Sequence, residues 1–391
     1  MRLWFVVRRG AWLLGALLLL VAVPSSAASV ASTITDVCPA SGIQEWSADF
    51  QPDGIILTTF DRYNTWVYRI DDNRRYPLPD TFPCGTNCHL SRDSQWVTFF
   101  NNSTNSYNKM RLDGTERTML VEYAGDVDWW SPDTLLVWTP GHDAYLRAED
   151  GTQREYLQVN GVLSVQPGGR WGLMVEPEGD GFKRVLVNLE LRGLVNVREQ
   201  RLELGPDLPY FDTAAWSPDG GWLAYVAPGA FDGEVGTAGG EIFGVRPGEP
   251  EPAQWTDLTS TYGAVRINGL SPGDLSWSPD GTRIAFWVTE LLSADPTGNL
   301  GNAVIHILDT RAMTIQRYCG YSTTGHTPLT PRLQWSPDGT HLAFGGYLPD
   351  DERGYLLLAL DTASGIFTIL SAGIYPALGT PDVIAWGLPP Q

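Results

Sequence analysis

An all-β fold, built as one closed ring of four-stranded antiparallel sheets, is predicted by three features of the sequence. A five-residue motif, Trp-Ser-Pro-Asp-Gly, recurs along the chain, and a short apolar strand follows each copy. Glycine and proline, which separate short strands, number 42 and 28 among 391 residues. After residue 28, no segment shows the sustained 3.6-residue apolar period of a helix. Length alone suggests two or three domains, but a closed all-β array can occupy the whole chain.

The repeated motif is predicted to form the turn of a hairpin. Three copies are complete, at Trp216–Gly220, Trp277–Gly281 and Trp335–Gly339. Pro presets φ in such a turn, Asp accepts hydrogen bonds from the backbone, and Gly adopts positive φ. Partial copies begin at residues 50, 90, 130 and 165, and a last fragment surrounds residue 386. The Asp residues of the motif are therefore expected to serve their own turns rather than to form a carboxylate cluster; they are Asp53, Asp133, Asp219, Asp280 and Asp338.

The spacing of the motif predicts the number of blades. A second strand pair follows the hairpin, clearest at Ala303–Leu308 with Thr314–Tyr318, so one repeat has four antiparallel strands, like the blade of a β-propeller. Eight inner-strand motifs enclose seven complete repeats of 35 to 61 residues. We expect seven blades over residues 43–391, with the last strand closing the ring against the first unit; eight blades is the alternative. The Trp residues before the turns are expected to pack between blades; they are Trp130, Trp216, Trp277 and Trp335.

The Trp-Ser-Pro-Asp-Gly turn and the strand after it, such as Arg283–Phe286, resemble the TolB-like β-propeller repeat, a relative of the WD repeat. The resemblance covers residues 43 to 391 and implies the propeller fold. It leaves the function open, because such repeats occur in periplasmic TolB, in the propellers of prolyl-oligopeptidase-like enzymes and in lyases acting on pectin fragments. The sequence has no extra α/β domain ahead of the repeats, so the docking of TolB to the Pal lipoprotein is not implied here.

The first 28 residues have the layout of a secretory signal peptide. Three Arg residues precede an apolar run, Ala11–Val23, and small residues at Ser25–Ala28 offer a cleavage site. The run of 13 residues is shorter than the about 20 that span a bilayer, so we expect no stable membrane span after cleavage; a retained anchor is the alternative. Residues 29–42 would then form a short extension before the propeller. The predicted location is the periplasm, the cell surface or the medium.

Four Cys residues fit an exported protein, in which an even number favours disulfides. Cys84 and Cys88 lie in one Pro/Gly/Asn-containing loop and can form a local bridge, which leaves Cys38 and Cys319 to pair by default. The alternative is a haem c attachment site, because His89 follows Cys88, but the spacing is one residue longer than C-x-x-C-H. We therefore expect no haem.

Acidic residues outnumber basic ones, 45 to 26, for a net charge of −19. The first 28 residues contain three Arg and no acid, so the mature chain would carry −22. This charge argues against nucleic acid as the main partner, since phosphates require a basic face. It fits a soluble, exported, monomeric protein with a non-anionic partner.

No catalytic set is predicted. Gly269–Gly273 matches the nucleophile-elbow pattern G-x-S-x-G by letter, but Pro follows the Ser where a helix is needed. The five His residues lie in separate repeats, so no metal site or cofactor is predicted, although Ca²⁺ or Mn²⁺ would fit if side chains met at the propeller axis.

Long connections in the last three blades are the predicted binding site, because binding residues are concentrated on loops of rigid scaffolds. The candidate residues in these connections are Tyr262, Arg266, Asn268, Tyr321, His326 and Tyr375. The predicted function is an extracytoplasmic scaffold that binds a protein or a cell-envelope component. The alternatives are a metal-assisted polysaccharide lyase or hydrolase acting at the axis, and a structural spacer in a surface layer.

Overall fold

The computed structural model arranges the chain as a ring of seven antiparallel sheets, which confirms the all-β propeller with seven blades. The described residues are 33–38, 43, 52–61, 63–81, 84, 87–152, 154–192, 199–207, 213–229, 240–263, 265–268, 275–292, 300–324, 331–348, 351–380 and 382–390. The predicted signal peptide, residues 1–28, lies outside them.

Strands are numbered in chain order and blades from the N-terminus. Blade 1 contains β1 (Ile55–Thr59), β2 (Thr65–Arg69) and β3 (Arg74–Leu78). Blade 2 contains β4 (His89–Leu90), β5 (Trp96–Asn101), β6 (Ser106–Arg111) and β7 (Thr118–Glu122). Blade 3 contains β8 (Asp126–Ser131), β9 (Thr134–Trp138), β10 (Ala144–Ala148) and β11 (Arg154–Leu157). Blade 4 contains β12 (Val162–Val165), β13 (Trp171–Glu178), β14 (Gly181–Asn188) and β15 (Arg201–Asp207).

Blades 5 to 7 contain the complete copies of the motif. Blade 5 contains β16 (Ala214–Trp216), β17 (Leu223–Pro228), β18 (Gly240–Val245) and β19 (Ala253–Gln254). Blade 6 contains β20 (Val265–Ile267), β21 (Ser276–Trp277), β22 (Arg283–Leu291), β23 (Leu300–Asp309) and β24 (Thr314–Thr323). Blade 7 contains β25 (Gln334–Trp335), β26 (His341–Gly346), β27 (Leu356–Asp361) and β28 (Phe367–Ile369), and β29 (Val383–Gly387) follows it. Two short helices complete the set, α1 (Ile34–Val37) and α2 (Leu258–Tyr262).

The last strand closes the ring. β29 pairs antiparallel with β1, with Gly387 opposite Ile55, and so becomes the innermost strand of blade 1. This pairing joins the two ends of the propeller and covers the inner edge of β1. The closure is the one predicted from the sequence, and the eight-blade alternative is wrong.

The core lies between the faces of neighbouring blades. On β22, Phe286 packs with Val226 of blade 5, whereas the next residue, Trp287, packs with Phe344 of blade 7. The alternation follows from the two-residue period of a strand, which turns successive side chains to opposite faces. Each such apolar side chain contributes roughly 1.5–3 kcal/mol when fully buried. The middle strands of a blade must therefore be apolar on both faces, because each face packs against a neighbouring blade.

The segment before the propeller is fastened to it. Ile34 of α1 is fully buried in the apolar cluster shared by blades 5 and 6. A disulfide joins Cys38, directly after α1, to Cys319 on β24, and a second disulfide joins Cys84 to Cys88. Such bonds are typical of an extracytoplasmic protein. Among the described residues, no helix has the length and apolar character needed to cross a membrane.

Candidate binding face and axial channel

The propeller presents two ends with different chemistry. Successive strands of a blade alternate in direction, so the connections from first to second strand and from third to fourth lie at one end, here called the turn face. The connections from second to third strand, and from one blade to the next, lie at the opposite end, here called the loop face. The Ser-Pro-Asp-Gly turns occupy the turn face, and most of the longer connections occupy the loop face.

Each Ser-Pro-Asp-Gly turn satisfies its own polar groups. In blade 5, the Ser217 hydroxyl donates to Asp219 Oδ1 at 2.6 Å and accepts from the Trp222 amide at 2.9 Å. The Gly220 amide donates to the Ser217 carbonyl, and its φ of 70° explains the choice of Gly. The hydrogen bond from Ser217 lowers the pKa of Asp219, so the carboxylate stays ionised within the turn.

The other turn carboxylates are used in the same local way. Asp280 and Asp338 accept from the Ser two residues earlier at 2.6 Å, in blades 6 and 7. Asp133 accepts from Ser131 at 3.0 Å, and Asp53 accepts from the Gly54 amide at 2.7 Å. These five Asp side chains are thus bound to their own turns and are not brought together.

In blades 5 to 7, the Trp residue of the inner strand connects its blade to the one before it. Trp216 Nε1 donates to Ser164 Oγ of blade 4 at 3.2 Å. Trp277 Nε1 donates to the Ala215 carbonyl at 3.2 Å, and Trp335 Nε1 donates to the Ser276 carbonyl at 2.8 Å. The bonds repeat from blade to blade because each indole reaches the same position of the preceding inner strand.

In blade 3, the indole that bonds to the preceding blade belongs to the residue before the Trp of the motif. Trp129, not Trp130, donates to the preceding inner strand, at the His89 carbonyl 3.1 Å away. The register of β8 against β9 shifts between Trp129 and Ser131, and the Trp130 indole packs against the apolar cluster of blades 3 and 4. Trp130 Nε1 then donates to the Gly169 carbonyl of the next blade at 3.1 Å, and the Arg170 guanidinium lies 4.8 Å from the ring centre.

An axial cavity of about 260 Å³ opens at the turn face and is lined by residues from all seven blades. Its wall consists mainly of indoles, Pro rings and Ser side chains of the turns, with Arg92 and Asp128 as charged groups. Among the described residues, no group of three His, Cys, Asp or Glu side chains is arranged to hold a metal ion.

Four of the six predicted binding residues lie inside the molecule. Arg266 and Asn268 are buried beside β22, where Asn268 Oδ1 accepts from the Trp287 amide at 2.9 Å. Tyr321 is buried between blades 6 and 7 and donates to the Tyr347 carbonyl at 3.3 Å. Each of these three side chains is thus buried within blade 6 or between blades 6 and 7. His326 lies outside the described residues.

Tyr262 and Tyr375 have different surroundings. Tyr262 is buried because the Glu241 carboxylate accepts from the Leu258 and Thr259 amides, both at 2.8 Å, and so holds α2 against blade 5. Tyr375 is the one predicted binding residue placed at the surface, and the Arg353 guanidinium lies 5.0 Å from its ring centre. Among the described candidates, only Tyr375 is therefore available to a partner.

Large exposed apolar side chains are concentrated on the loop face. Of the eleven in the described residues, three lie on outer strands, Met313 lies on the turn face, and seven lie on the loop face. The seven are between 39% and 71% exposed and come from blades 1, 2, 4, 6 and 7 and the connections that follow them; they are Tyr63, Tyr123, Leu163, Phe182, Leu292, Tyr347 and Tyr375. No sequence motif marks them, but their positions follow once the strand order is known.

The loop face is also acidic. Seven exposed carboxylates lie in its described connections or at the strand ends beside them: Asp80, Glu122, Asp143, Glu178, Asp180, Asp257 and Glu352. The basic residues of the same described connections are Arg332 and Arg353, neither of them fully exposed. Arg353 Nη2 lies 2.7 Å from Asp351 Oδ2, so its charge is compensated within the chain. The face therefore combines apolar side chains with a negative potential.

Comparisons with known proteins find similar chains among solved structures. No family model matches the sequence, and no curated protein matches it. Among solved structures, TolB from Acinetobacter baumannii is similar at 15% identity, over 85% of this chain and 82% of that one, with a TM-score of 0.43. An oligogalacturonate lyase in complex with manganese is similar at 13% identity, over 81% and 85%, with a TM-score of 0.43. A functionally unknown protein from Desulfotomaculum acetoxidans is similar at 13% identity, over 86% and 100%, with a TM-score of 0.48.

Proposed function

We propose that this chain is an exported scaffold that binds another protein through its loop face. The observation that carries the proposal is the concentration of seven large exposed apolar side chains on that face. Scattered single apolar residues are normal on protein surfaces, but an accumulation on one face is typical of interaction sites. Five of the seven are aromatic, and aromatic side chains are enriched at protein interfaces.

The charge of the face indicates the kind of partner. Exposed carboxylates surround the apolar side chains, and the described basic groups nearby are only partly exposed. Potentials of opposite sign speed the encounter of two proteins and disfavour partners of like charge. A partner with a neutral or basic surface therefore fits, whereas an acidic polymer does not.

Location and rigidity support a binding role. The layout of residues 1–28 is typical of an export signal, and the two disulfides are typical of an oxidising compartment. Closure by β29 and the bonds between blades give the loops a stable base. Loops that carry binding residues on a rigid base need not become ordered when they bind.

The exported full chain is first used to capture a partner from an envelope extract. The test then titrates the captured partner into two triple variants and compares their affinities. The loop-face variant carries Tyr63→Ser, Phe182→Ser and Leu292→Ser. The control carries Met119→Ser, Tyr156→Ser and Ile315→Ser, which change exposed apolar residues on outer strands. We expect the loop-face variant to bind the captured partner at least tenfold more weakly, with the control unchanged. Equal binding by both variants would contradict the proposal.

A further inference from the structure

We propose that a pocket on the loop face, between blades 3 and 4, binds a cationic side chain, Arg or Lys, of the partner protein. The pocket has a volume of about 370 Å³. Ligand pockets typically range from about 300 to 1,000 Å³, so this one is small. Asp126, Trp138, His142 and Leu163 are among the residues that line it. This inference rests on the proposed function, because it names the chemical group that the loop face recognises.

Asp126 supplies the negative charge. It begins β8, and its carboxylate accepts from the Val127 amide at 2.9 Å and lies 3.0 Å from His89 Nε2. Burial raises the pKa of Asp126, but the hydrogen bond and the charge of His89 and the bond from Val127 outweigh it, so the pKa lies below its usual value. The carboxylate is therefore ionised at neutral pH and held in one orientation.

The charge is not cancelled by its neighbours. Asp128, two residues further along β8, also faces His89, with Oδ1 3.6 Å from Nδ1. The pair of carboxylates thus outweighs one imidazole even when that imidazole is protonated. Asp143, in the β9–β10 turn that forms the pocket wall, adds a further exposed carboxylate. No Arg or Lys is among the described residues that line the pocket.

Trp138 supplies an aromatic wall. It ends β9, is partly exposed, and packs on its inner side against the apolar cluster of blades 3 and 4. Trp is the best of the aromatic side chains for attracting a cation to its face. The apolar side chains of Pro140, Val162 and Leu163 complete the lining and suit the methylene stem of Arg or Lys, which buries along apolar surface while the charge is paired.

The combination favours a cation over other ligands. An anion would face Asp126 and the surrounding carboxylates at close range, which costs free energy in a partly buried site. A neutral sugar could stack on Trp138 but would not use the ionised carboxylate. A guanidinium or ammonium group uses both, through a charge-assisted hydrogen bond to Asp126 and a cation–π contact with Trp138.

The test titrates short blocked peptides into the full chain and needs no natural partner. The probes are acetyl-Ala-Arg-Ala-amide, its Lys analogue, its Glu analogue, and the citrulline analogue, which matches Arg in shape but is neutral. We expect the Arg and Lys peptides to bind at least tenfold more tightly than the citrulline and Glu peptides. Equal affinity for the Arg and citrulline peptides would overturn the inference.

Three variants connect the binding to this pocket. Asp126→Asn keeps the shape of the side chain and removes its charge, and should lower the affinity for the Arg peptide at least tenfold. Leu163→Arg places a guanidinium at the pocket mouth and should block binding, whereas Met119→Arg, at an exposed position on the outer strand β7, should leave it within threefold. Unfolding midpoints verify that each variant is folded. If Asp126→Asn does not fold, peptide binding by Leu163→Arg tests the pocket instead.

The outcomes separate this inference from the proposed function. If the loop-face triple variant loses the partner while Asp126→Asn and Leu163→Arg still bind the Arg peptide, the pocket assignment is wrong and the binding face stands. If the Arg peptide binds and depends on Asp126 while both triple variants retain the partner, the pocket stands and the proposed protein-binding face is wrong.

Discussion

The hydroxyl of Tyr262 lies 2.9 Å from Nε2 of His306, deep between blades 5 and 6. His306 is only 1% exposed, and its Nδ1 faces the Val304 carbonyl at 3.0 Å. Nδ1 must therefore carry the proton, which leaves Nε2 to accept from the Tyr262 hydroxyl. Burial lowers the pKa of His306 to about 4, although the bond to Val304 favours the protonated form. The imidazole is thus a neutral part of the core.

The first prediction is a loss of stability in mild acid that depends on His306. In the unfolded chain the His pKa returns to about 6.5, so between pH 6.5 and 4 the unfolded state binds a proton that the folded state does not. The contribution of His306 is complete above pH 6.5 and falls as the pH drops towards 4, by about 3 kcal/mol in total. Urea unfolding of the wild type and His306→Gln at several pH values measures it.

The comparison of the two proteins isolates the effect of His306. Carboxylates with lowered pKa, such as Asp219, destabilise both proteins equally at low pH, so they cancel in the difference. Between pH 7.5 and pH 5 the wild type should lose about 2 kcal/mol more than His306→Gln. Parallel pH profiles for the two proteins would mean that the imidazole titrates normally.

The second prediction concerns the buried Ser of the turns. Ser278 is fully buried, and its hydroxyl donates to Asp280 at 2.6 Å and accepts from the Arg283 amide at 2.9 Å. Ser278→Ala leaves both partners without this bond, so we expect a loss of about 1–3 kcal/mol in the free energy of unfolding. Ser364, whose hydroxyl donates to Asp361 at 2.8 Å in an exposed turn, is the control. Ser364→Ala should cost less than about 0.5 kcal/mol; similar losses would show that burial does not set the cost.

The third prediction ranks the two disulfides by the chain that each encloses. The Cys38–Cys319 bond spans 281 residues and the Cys84–Cys88 bond spans four. In the chain-entropy account, a longer loop restricts the unfolded state more, so replacing the first pair by Ser should cost about 5 kcal/mol and the second about 2 kcal/mol. Loss of Cys38–Cys319 also releases the anchor that holds Ile34 in the core of blades 5 and 6. Denaturant unfolding of both double variants measures the two losses in free energy of unfolding. A larger loss for the Cys84–Cys88 pair would contradict the prediction.

The repeat made the architecture predictable because its residues perform the same task in each blade. Pro, Asp and Gly of the turn are chosen by backbone geometry, which acts locally and is therefore visible in sequence. Closure was predictable for the same reason, since the fragment around Trp386 has the pattern of an inner strand and lacks the rest of a blade.

The binding residues were less predictable because they depend on contacts between distant segments. Tyr262 looks available in sequence, yet the buried Glu241 holds α2 so that its side chain enters the core. Asp126 and Trp138 belong to no motif, and only the pairing of β8 with β9, in which the two residues stand opposite each other, brings them into one pocket.

The last prediction follows from the register shift of blade 3. Trp129 is 6% exposed and its Nε1 donates to the His89 carbonyl of the preceding blade, whereas Trp130 is only partly buried. Trp129→Phe leaves the His89 carbonyl without this donor and leaves a gap at a buried position, so it should cost about 2–4 kcal/mol. Trp130→Phe also loses a hydrogen bond, to the Gly169 carbonyl, but at a position that is only partly buried, so it should cost less than about 1.5 kcal/mol. Urea unfolding of the two single variants measures both losses. A greater loss for Trp130→Phe would mean that Trp130, as the sequence motif suggests, is the equivalent of Trp216, Trp277 and Trp335.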